Sequence, residues 1–495
     1  MKKINLLLYT TIITGVILRI YNLTAVSLWH DEAFSALLIK YNFQEMIDRI
    51  ILDVHPPFYY IVLRFWDVFF GNSLFSIRMF SVLFSVLIIL ATYLFVKTAF
   101  KNNKLALFSS AIVAISPFQI QYAQEARMYA LGAFLIIISS YFLLQALNKK
   151  NTPWIWWLLY AMSISAALYT HYYVVFSIFA QALFVFYYFF KKLKFSPMRW
   201  LKNKNFQLCF ASYVLIAISY LPWLKIFLAQ LSQVQENYWI PKMDFWSVPC
   251  TFYKLTTGSG INPQDDKFIL IILVIIIISA IFYALKKIKT PEKWLVFFML
   301  AVPFAGAIAL SLKTSIYLDR YFIFVSAFFI ILICGAILKI KNPLIKNFLI
   351  FLTILISVYS FAHSSKELEI EKKPGMAGAA AYINQAAKPN DKIYVGSSFV
   401  YFTFRYYNET QVYPKLYAPG ELSHFSGTAL LSPEDIIKNF EQETQKNNTV
   451  WLINTTGFGN YQPKTPGNWI KENEKGFQDA YGYQGWIVVS KYKIP

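Results

Sequence analysis

The stretch Leu28-Trp29-His30-Asp31-Glu32-Ala33 sets two adjacent carboxylates and an imidazole just past a long apolar run. A carboxylate at the end of a membrane helix stays in reach of water and can take a proton from an incoming hydroxyl. Two neighbouring acids also raise the cost of holding both charges, so one is expected to titrate outside its usual range. The same residues read equally as a helix start, with Asp31 as its cap and its charge at the positive end of the dipole. Asp53-Val54-His55-Pro56-Pro57-Phe58-Tyr59-Tyr60 is the second candidate. His55 there suits a phosphate oxygen and the Tyr59–Tyr60 pair suits headgroup depth, although a proline-initiated interfacial anchor has the same sequence. The third is Gln121 to Leu131, where Glu125, Arg127 and Tyr129 alternate with small or apolar residues. A charged pair in such a place is costly unless partners or a ligand satisfy it. Arg127 can hold a phosphate bidentately, or form a structural bridge to Glu125 or Asp31. His171 in Tyr169–Tyr173, and Arg320 with Tyr321 in Tyr317–Phe324, add anion ligands at two further helix ends. Acids, histidines, arginines and tyrosines at helix ends over apolar surface suit a substrate with a phosphate head and a greasy tail.

The elements that must position these residues are membrane helices. The 495 residues are 57% hydrophobic and 15% charged, with apolar runs of bilayer-spanning length, which is the composition of a polytopic α-helical membrane protein. The net charge of +20 is not spread evenly. It gathers at Lys97–Lys104, Lys149–Lys150, Lys191–Lys204, Lys286–Lys293 and Lys339–Lys346, with Lys2 and Lys3, opposed only by Glu292. That is the positive-inside pattern of cytoplasmic loops, and it leaves little charge for nucleic acid, which is excluded as a partner. Placing each cluster inside gives eleven spans: 4–23, 74–96, 105–121, 129–147, 154–170, 172–190, 206–225, 267–285, 294–312, 321–338 and 344–362. The N-terminus is then cytoplasmic and the C-terminus outside. The first run has no small-residue cleavage site before Asp31 and reads as a retained helix. Cys209, Cys250 and Cys334 are too scattered for a disulfide framework or a zinc site.

The expected domains are a transmembrane unit, 1–362, with a long first outer loop, 24–73, and an extracytoplasmic α/β domain, 363–495. Pro56–Phe70 is apolar but too short to span, and is expected as an interfacial helix in that loop. In the C-terminal region Gly375–Ala387 and Ser432–Gln445 read as helices; Asp391–Gly396, Thr449–Asn454 and Gly485–Tyr492 read as strands. There is no phosphate-binding glycine loop and no clear internal repeat.

The motifs LWHDEA, HPPFYY, Arg78, QEARMYAL and DRY, in this order over roughly residues 1–325, resemble those of the GT-C glycosyltransferases of family 39 type. These include the protein O-mannosyltransferases and the aminoarabinose transferases that modify lipid A. The resemblance implies a GT-C enzyme of the plasma membrane that transfers a hexosyl or pentosyl group, with inversion, from a polyprenyl-phosphate donor. The acceptor is a hydroxyl on a lipid, glycan or protein outside the cytoplasm, and membrane lipid is a further partner. By the same resemblance Asp31 is the general base and Glu32 shapes the site. His55 lies near the lipid phosphate, where some relatives carry Lys, and Arg127 and Arg320 hold the leaving phosphate. Tyr59, Glu125, Tyr129, His171 and Tyr321 complete the expected substrate site. The resemblance names no definite cofactor; a divalent metal is an alternative source of positive charge, for which the sequence offers no compact ligand cluster. The rival class, a lipid-linked sugar transporter or flippase, calls for repeated halves and charge near the bilayer midplane, whereas these charges gather at one face.

Overall fold

The computed structural model describes residues 2–148, 154–194, 196–236, 239–259, 267–368, 372–440, 448–461, 463–480 and 485–495. Lys149, Lys150, Asp265 and Asp266 lie outside them. Among the described residues eight helices are long and apolar enough to cross a membrane, or nine if a bent pair counts as one span. The shorter apolar helices Ile4–Ile20 and Trp154–Leu168 fall on the two other expected spans. The protein is thus an integral membrane protein built on a helical bundle. Its most enclosed span is Asp319–Leu338, 83% buried, whereas Pro343–Glu367 is only 11% buried and offers its apolar surface to lipid.

The bent pair shows how sequence places function. Asn103–Ile115 stops at Ser116, and Pro117 opens Pro117–Ala123 at an angle of 57°. Proline lacks the N–H that Val113 would otherwise engage, so carbonyls are left over at the break. Buried Arg19 fills the gap, donating to Ala114 O at 2.8 Å and Val113 O at 3.2 Å, with Nε on Ser85 Oγ at 2.8 Å. The break ends the span early and turns residues 124–128 across one end of the bundle.

The segment after the first helix holds three short helices, His30–Leu38, Phe43–Leu52 and Phe58–Phe70, before the span Leu74–Phe100 begins. Phe58–Phe70 has 13 residues, about 20 Å at 1.5 Å per residue, and exposes Phe65, Val68, Phe69 and Phe70 along one side.

Beyond the last bundle helix, which runs to Glu367, lies a mixed α/β domain. Helix Gly375–Ala386 leads to β1 (Lys392–Val395), helix Ser398–Tyr407, β2 (Lys415–Tyr417), β3 (Ile436–Ile437), β4 (Thr449–Thr455), β5 (Ile470–Gln478) and β6 (Trp486–Lys493). The sheet order is β3-β2-β1-β4-β6-β5, parallel from β3 to β4 and antiparallel beyond. Helix Ser398–Tyr407 and β2 are not among the expected elements, and two further elements differ from expectation. Ser432 caps only a 3-10 turn, because Asp435 Oδ2 accepts from both Ser432 N and Oγ at 2.7 Å, and the chain then joins the sheet as β3. Residues 441–447 of that expected helix lie outside the described residues. The second is β5, an edge strand whose run Lys471-Glu472-Asn473-Glu474-Lys475 is exposed, so it lacks the apolar alternation by which strands are read.

The domain packs on the bundle through His30–Leu38. Tyr407 Oη accepts from Leu28 N at 3.0 Å, Tyr406 Oη donates to Asn72 O at 2.8 Å, and His30 packs against Phe399 and Phe402.

Candidate active site

Helix His30–Leu38 begins after extended Trp29, and its first turn carries both acids. Successive helical residues point about 100° apart, so the adjacent carboxylates face different surroundings. Glu32 turns inward and is fully buried. It receives Arg78 Nε at 2.9 Å and Nη2 at 2.7 Å, Ala126 N at 2.7 Å and Trp29 N at 3.3 Å. Arg78 Nη1 in turn donates to Leu23 O and Val26 O, both at 2.9 Å. Glu32 is therefore a brace that ties the helix start to the 124–128 loop. It does not line the cleft, which departs from its expected place beside the reaction.

Asp31 faces a polar cleft of about 570 Å³ with its side chain 30% exposed. Its Oδ2 lies 3.9 Å from Arg127 Nη2 and 3.7 Å from Arg320 Nη1. These are ion-pair separations beyond hydrogen-bond length, so the carboxylate is flanked by two cations without being closed off by them. Buried Arg127 is aimed by donating from Nη1 to Asp31 O at 3.1 Å and Ser35 Oγ at 3.0 Å, with Nη2 at 3.3 Å from His55 Nε2. Its Nε has no hydrogen-bond partner. Arg320 stands over Trp29 and Trp239, 5.0 and 5.9 Å from the ring centroids. Its neighbour Asp319 is anchored by Thr251 Oγ1 at 2.6 Å and by Lys254.

His55 lies in the extended link before Pro56, and its Nδ1 is 2.9 Å from Asp53 Oδ2. Burial acts to raise the Asp53 carboxyl, but the hydrogen bonds it receives from His55 and the Val54 backbone, with the positive charge of Arg127, hold it below the usual range. Tyr129 and Tyr321 also line the cleft.

The cleft continues into an apolar groove of about 2060 Å³ that shares Val54, His55 and Tyr321 with it. Ile178, Tyr213, Ile216, Ala217, Leu224 and Phe227 line much of its length. His171 belongs to this groove, packed on Tyr321 and Phe324. Burial drives its pKa well below the ordinary value, and its Nδ1 accepts from Tyr173 N at 3.1 Å, which leaves the proton of the neutral ring on Nε2.

Two further expected residues lie behind the lining. Tyr59 is fully buried, packed edge-on against Tyr60 and Phe80, with its hydroxyl lacking a partner. Glu125 is 8% exposed; burial pushes its carboxyl up to about 7, against the opposing charge of Arg320. Asp53, His30 and Trp239 are cleft residues that sequence reasoning did not select. Asp53 had a signal, an acid two residues before His55 in a segment made extended by Pro56. Among the described residues no group of three or more His, Cys, Asp or Glu side chains could hold a metal ion.

A polar cleft with two arginines and a carboxylate thus meets an apolar groove beneath a covering α/β domain. The family model of dolichyl-phosphate-mannose-protein mannosyltransferases matches residues 54–223. No curated protein sequence matches the chain. Among solved structures, ArnT from Cupriavidus metallidurans bound to undecaprenyl phosphate is similar with a TM-score of 0.63 at 12% identity, covering 97% of each chain. Its apo state gives 0.60 at the same identity and coverage. Archaeal oligosaccharyltransferase AglB from Archaeoglobus fulgidus, in complex with an inhibitory peptide and a dolichol-phosphate, gives 0.53 at 12% identity, covering 83% of this chain and 64% of that one. The protein has the GT-C glycosyltransferase fold.

Proposed function

We propose that the protein is a glycosyltransferase that moves a sugar from a polyprenyl-phosphate donor to an acceptor hydroxyl at the outer face of the plasma membrane, with Asp31 as general base. One observation carries this reading: the polar cleft holding Asp31, Arg127 and Arg320 opens through His55 and Tyr321 into an apolar groove. A phosphate in the cleft and a polyprenyl chain in the groove use both halves at once. The binding of undecaprenyl phosphate by ArnT and of dolichol-phosphate by AglB supports the same class of donor.

The chemistry follows from the positions. The acceptor hydroxyl gives its proton to the Asp31 carboxylate as its oxygen bonds to the anomeric carbon. The bond from that carbon to the phosphate oxygen breaks, and the phosphate leaves with the electron pair. A single displacement of this kind inverts the anomeric centre. Charge builds on the phosphate, and Arg127 and Arg320 lie where two cations would meet it. Neither guanidinium is hydrogen-bonded to the Asp31 carboxylate, so both keep donor capacity toward a phosphate. In this reading the basic clusters mark the cytoplasmic side, with the N-terminus there and the C-terminal domain outside.

The test compares wild type with Asp31→Asn in detergent, using radiolabelled polyprenyl-phosphate sugars and extracted membrane acceptors. Transfer is expected to fall by about 10²- to 10⁴-fold while undecaprenyl-phosphate binding is kept. Equal turnover would remove Asp31 from the reaction. Donor translocation without transfer would replace the enzyme by a flippase.

A further inference from the structure

In the C-terminal sheet the chain runs from β1 outward through β2 to β3, then returns to the opposite side of β1 as β4. The strand order therefore reverses between two parallel neighbours, β1 and β4. The connections leaving their carboxyl ends diverge at such a point and open a crevice, which is where α/β sheets hold ligands. Here that crevice is built and lies against the bundle. A cleft of about 920 Å³ has Phe399, just past β1, and Thr455 and Phe458, at and past the end of β4, on the sheet side. Trp239, Asp31 and Arg320 close it on the bundle side. The two clefts thus share the Asp31 carboxylate.

Phe399 is the centre of an aromatic wall, 4.9 Å from Phe458 and 6.3 Å from Phe425 between ring centroids. The loop after β4 closes on it only because Gly459, at φ +70°, has no Cβ; one would stand 2.1 Å from the Phe399 ring. A buried polar atom without a hydrogen-bond partner also belongs to the crevice. Among its lining residues this atom is Nδ1 of His30, whose ring lines both clefts. Such atoms are rare unless a ligand or water completes them.

We infer that this switch-point crevice is the acceptor subsite, and that it takes the neutral ring of a sugar residue, so that the acceptor is a glycan. The inference rests on the transfer reading above. Among the described lining residues Asp31 and Arg320 are the only charged side chains, and both belong to the reaction centre. No further cation is present among them for a phosphorylated lipid head, and no further acid for a basic peptide. Aromatic faces pack on the C–H face of a sugar ring, while hydroxyls at the ring edge need the hydrogen-bonding atoms that border this wall. One such hydroxyl then meets Asp31.

The experiment uses the full chain in lipid nanodiscs. Neutral trisaccharides of glucose, mannose, galactose and N-acetylglucosamine are the probes, read by saturation-transfer NMR, with undecaprenyl-phosphate affinity measured in parallel. At least one trisaccharide is expected to bind wild type, and Phe399→Ala and Phe458→Ala are each expected to weaken it tenfold or more with undecaprenyl-phosphate affinity unchanged. Phe458 is 51% exposed, so its variant keeps the test valid if Phe399→Ala misfolds. No trisaccharide bound to wild type, binding indifferent to Phe458→Ala, or binding of a serine peptide or phosphatidylglycerol headgroup that Phe458→Ala abolishes would each overturn the inference. Failure of wild type to bind undecaprenyl phosphate would instead count against the donor reading.

Discussion

His55 Nε2 lies 3.3 Å from Arg127 Nη2, a nitrogen that can only donate. The imidazole nitrogen must therefore accept, which leaves the ring proton on Nδ1, directed at Asp53 Oδ2 2.9 Å away. The chain Asp53–His55–Arg127 fixes both the tautomer and the direction of the guanidinium. Asp53→Asn can present its amide N–H to Nδ1 and so reverse the tautomer, turning Nε2 into a donor against Arg127. Undecaprenyl-phosphate affinity is expected to fall about tenfold, roughly 1.4 kcal/mol. Calorimetric titration of the folded variant measures it, and unchanged affinity would break the link between Asp53 and the phosphate.

Glu32 and Arg78 form a buried pair with every carboxylate contact inside the protein. Removing one partner leaves the other charged and desolvated, so Glu32→Leu alone is expected to lose about 3–5 kcal/mol. Glu32→Leu with Arg78→Met should lose less than the sum of the single variants. Thermal unfolding in detergent, followed by size-exclusion monodispersity, gives both numbers. A stable single variant with specifically lost transfer would return Glu32 to the chemistry.

How far the sequence could be read follows from the kind of signal each feature leaves. The spans were legible because a run of apolar residues long enough to cross a bilayer has few other uses. Asp31 was legible because its place at a helix end and its type agree. Glu32 was not separable from it, since adjacency in sequence hides the rotation of about 100° that sends one acid to the cleft and the other to Arg78. The aromatic wall left no signal: Trp239, Phe399 and Phe458 come from separate segments and meet only in the folded chain. The expected helix at Ser432 failed because a capping pattern of sound local chemistry was overridden by pairing of β3 with β2.

The groove predicts a dependence on lipid length. Ala217 lies in its wall, so Ala217→Trp fills space that a long chain would occupy. Affinity for undecaprenyl phosphate should drop at least tenfold, while a ten-carbon analogue, whose tail stays near His55 and Tyr321, should bind as before. Competition binding with the two lipids decides this, and equal loss for both would mean that the introduced indole disturbs the headgroup site instead.

Glu125 makes stability depend on pH. Burial raises its carboxyl from an ordinary 4.5 to about 7, and Oε2 has no hydrogen-bond partner. Between those values the folded protein holds a proton that the unfolded chain has released, so stability falls as pH rises through the window. The full loss, about 3 kcal/mol, is present above pH 7 and absent below the ordinary value. Glu125→Gln keeps the shape and removes the titration. Its thermal midpoint should exceed that of wild type at pH 8, match it near pH 4.5, and vary less between them. Parallel melting curves in detergent across that range are the measurement, and a variant with the wild-type slope would assign the pH dependence to other groups.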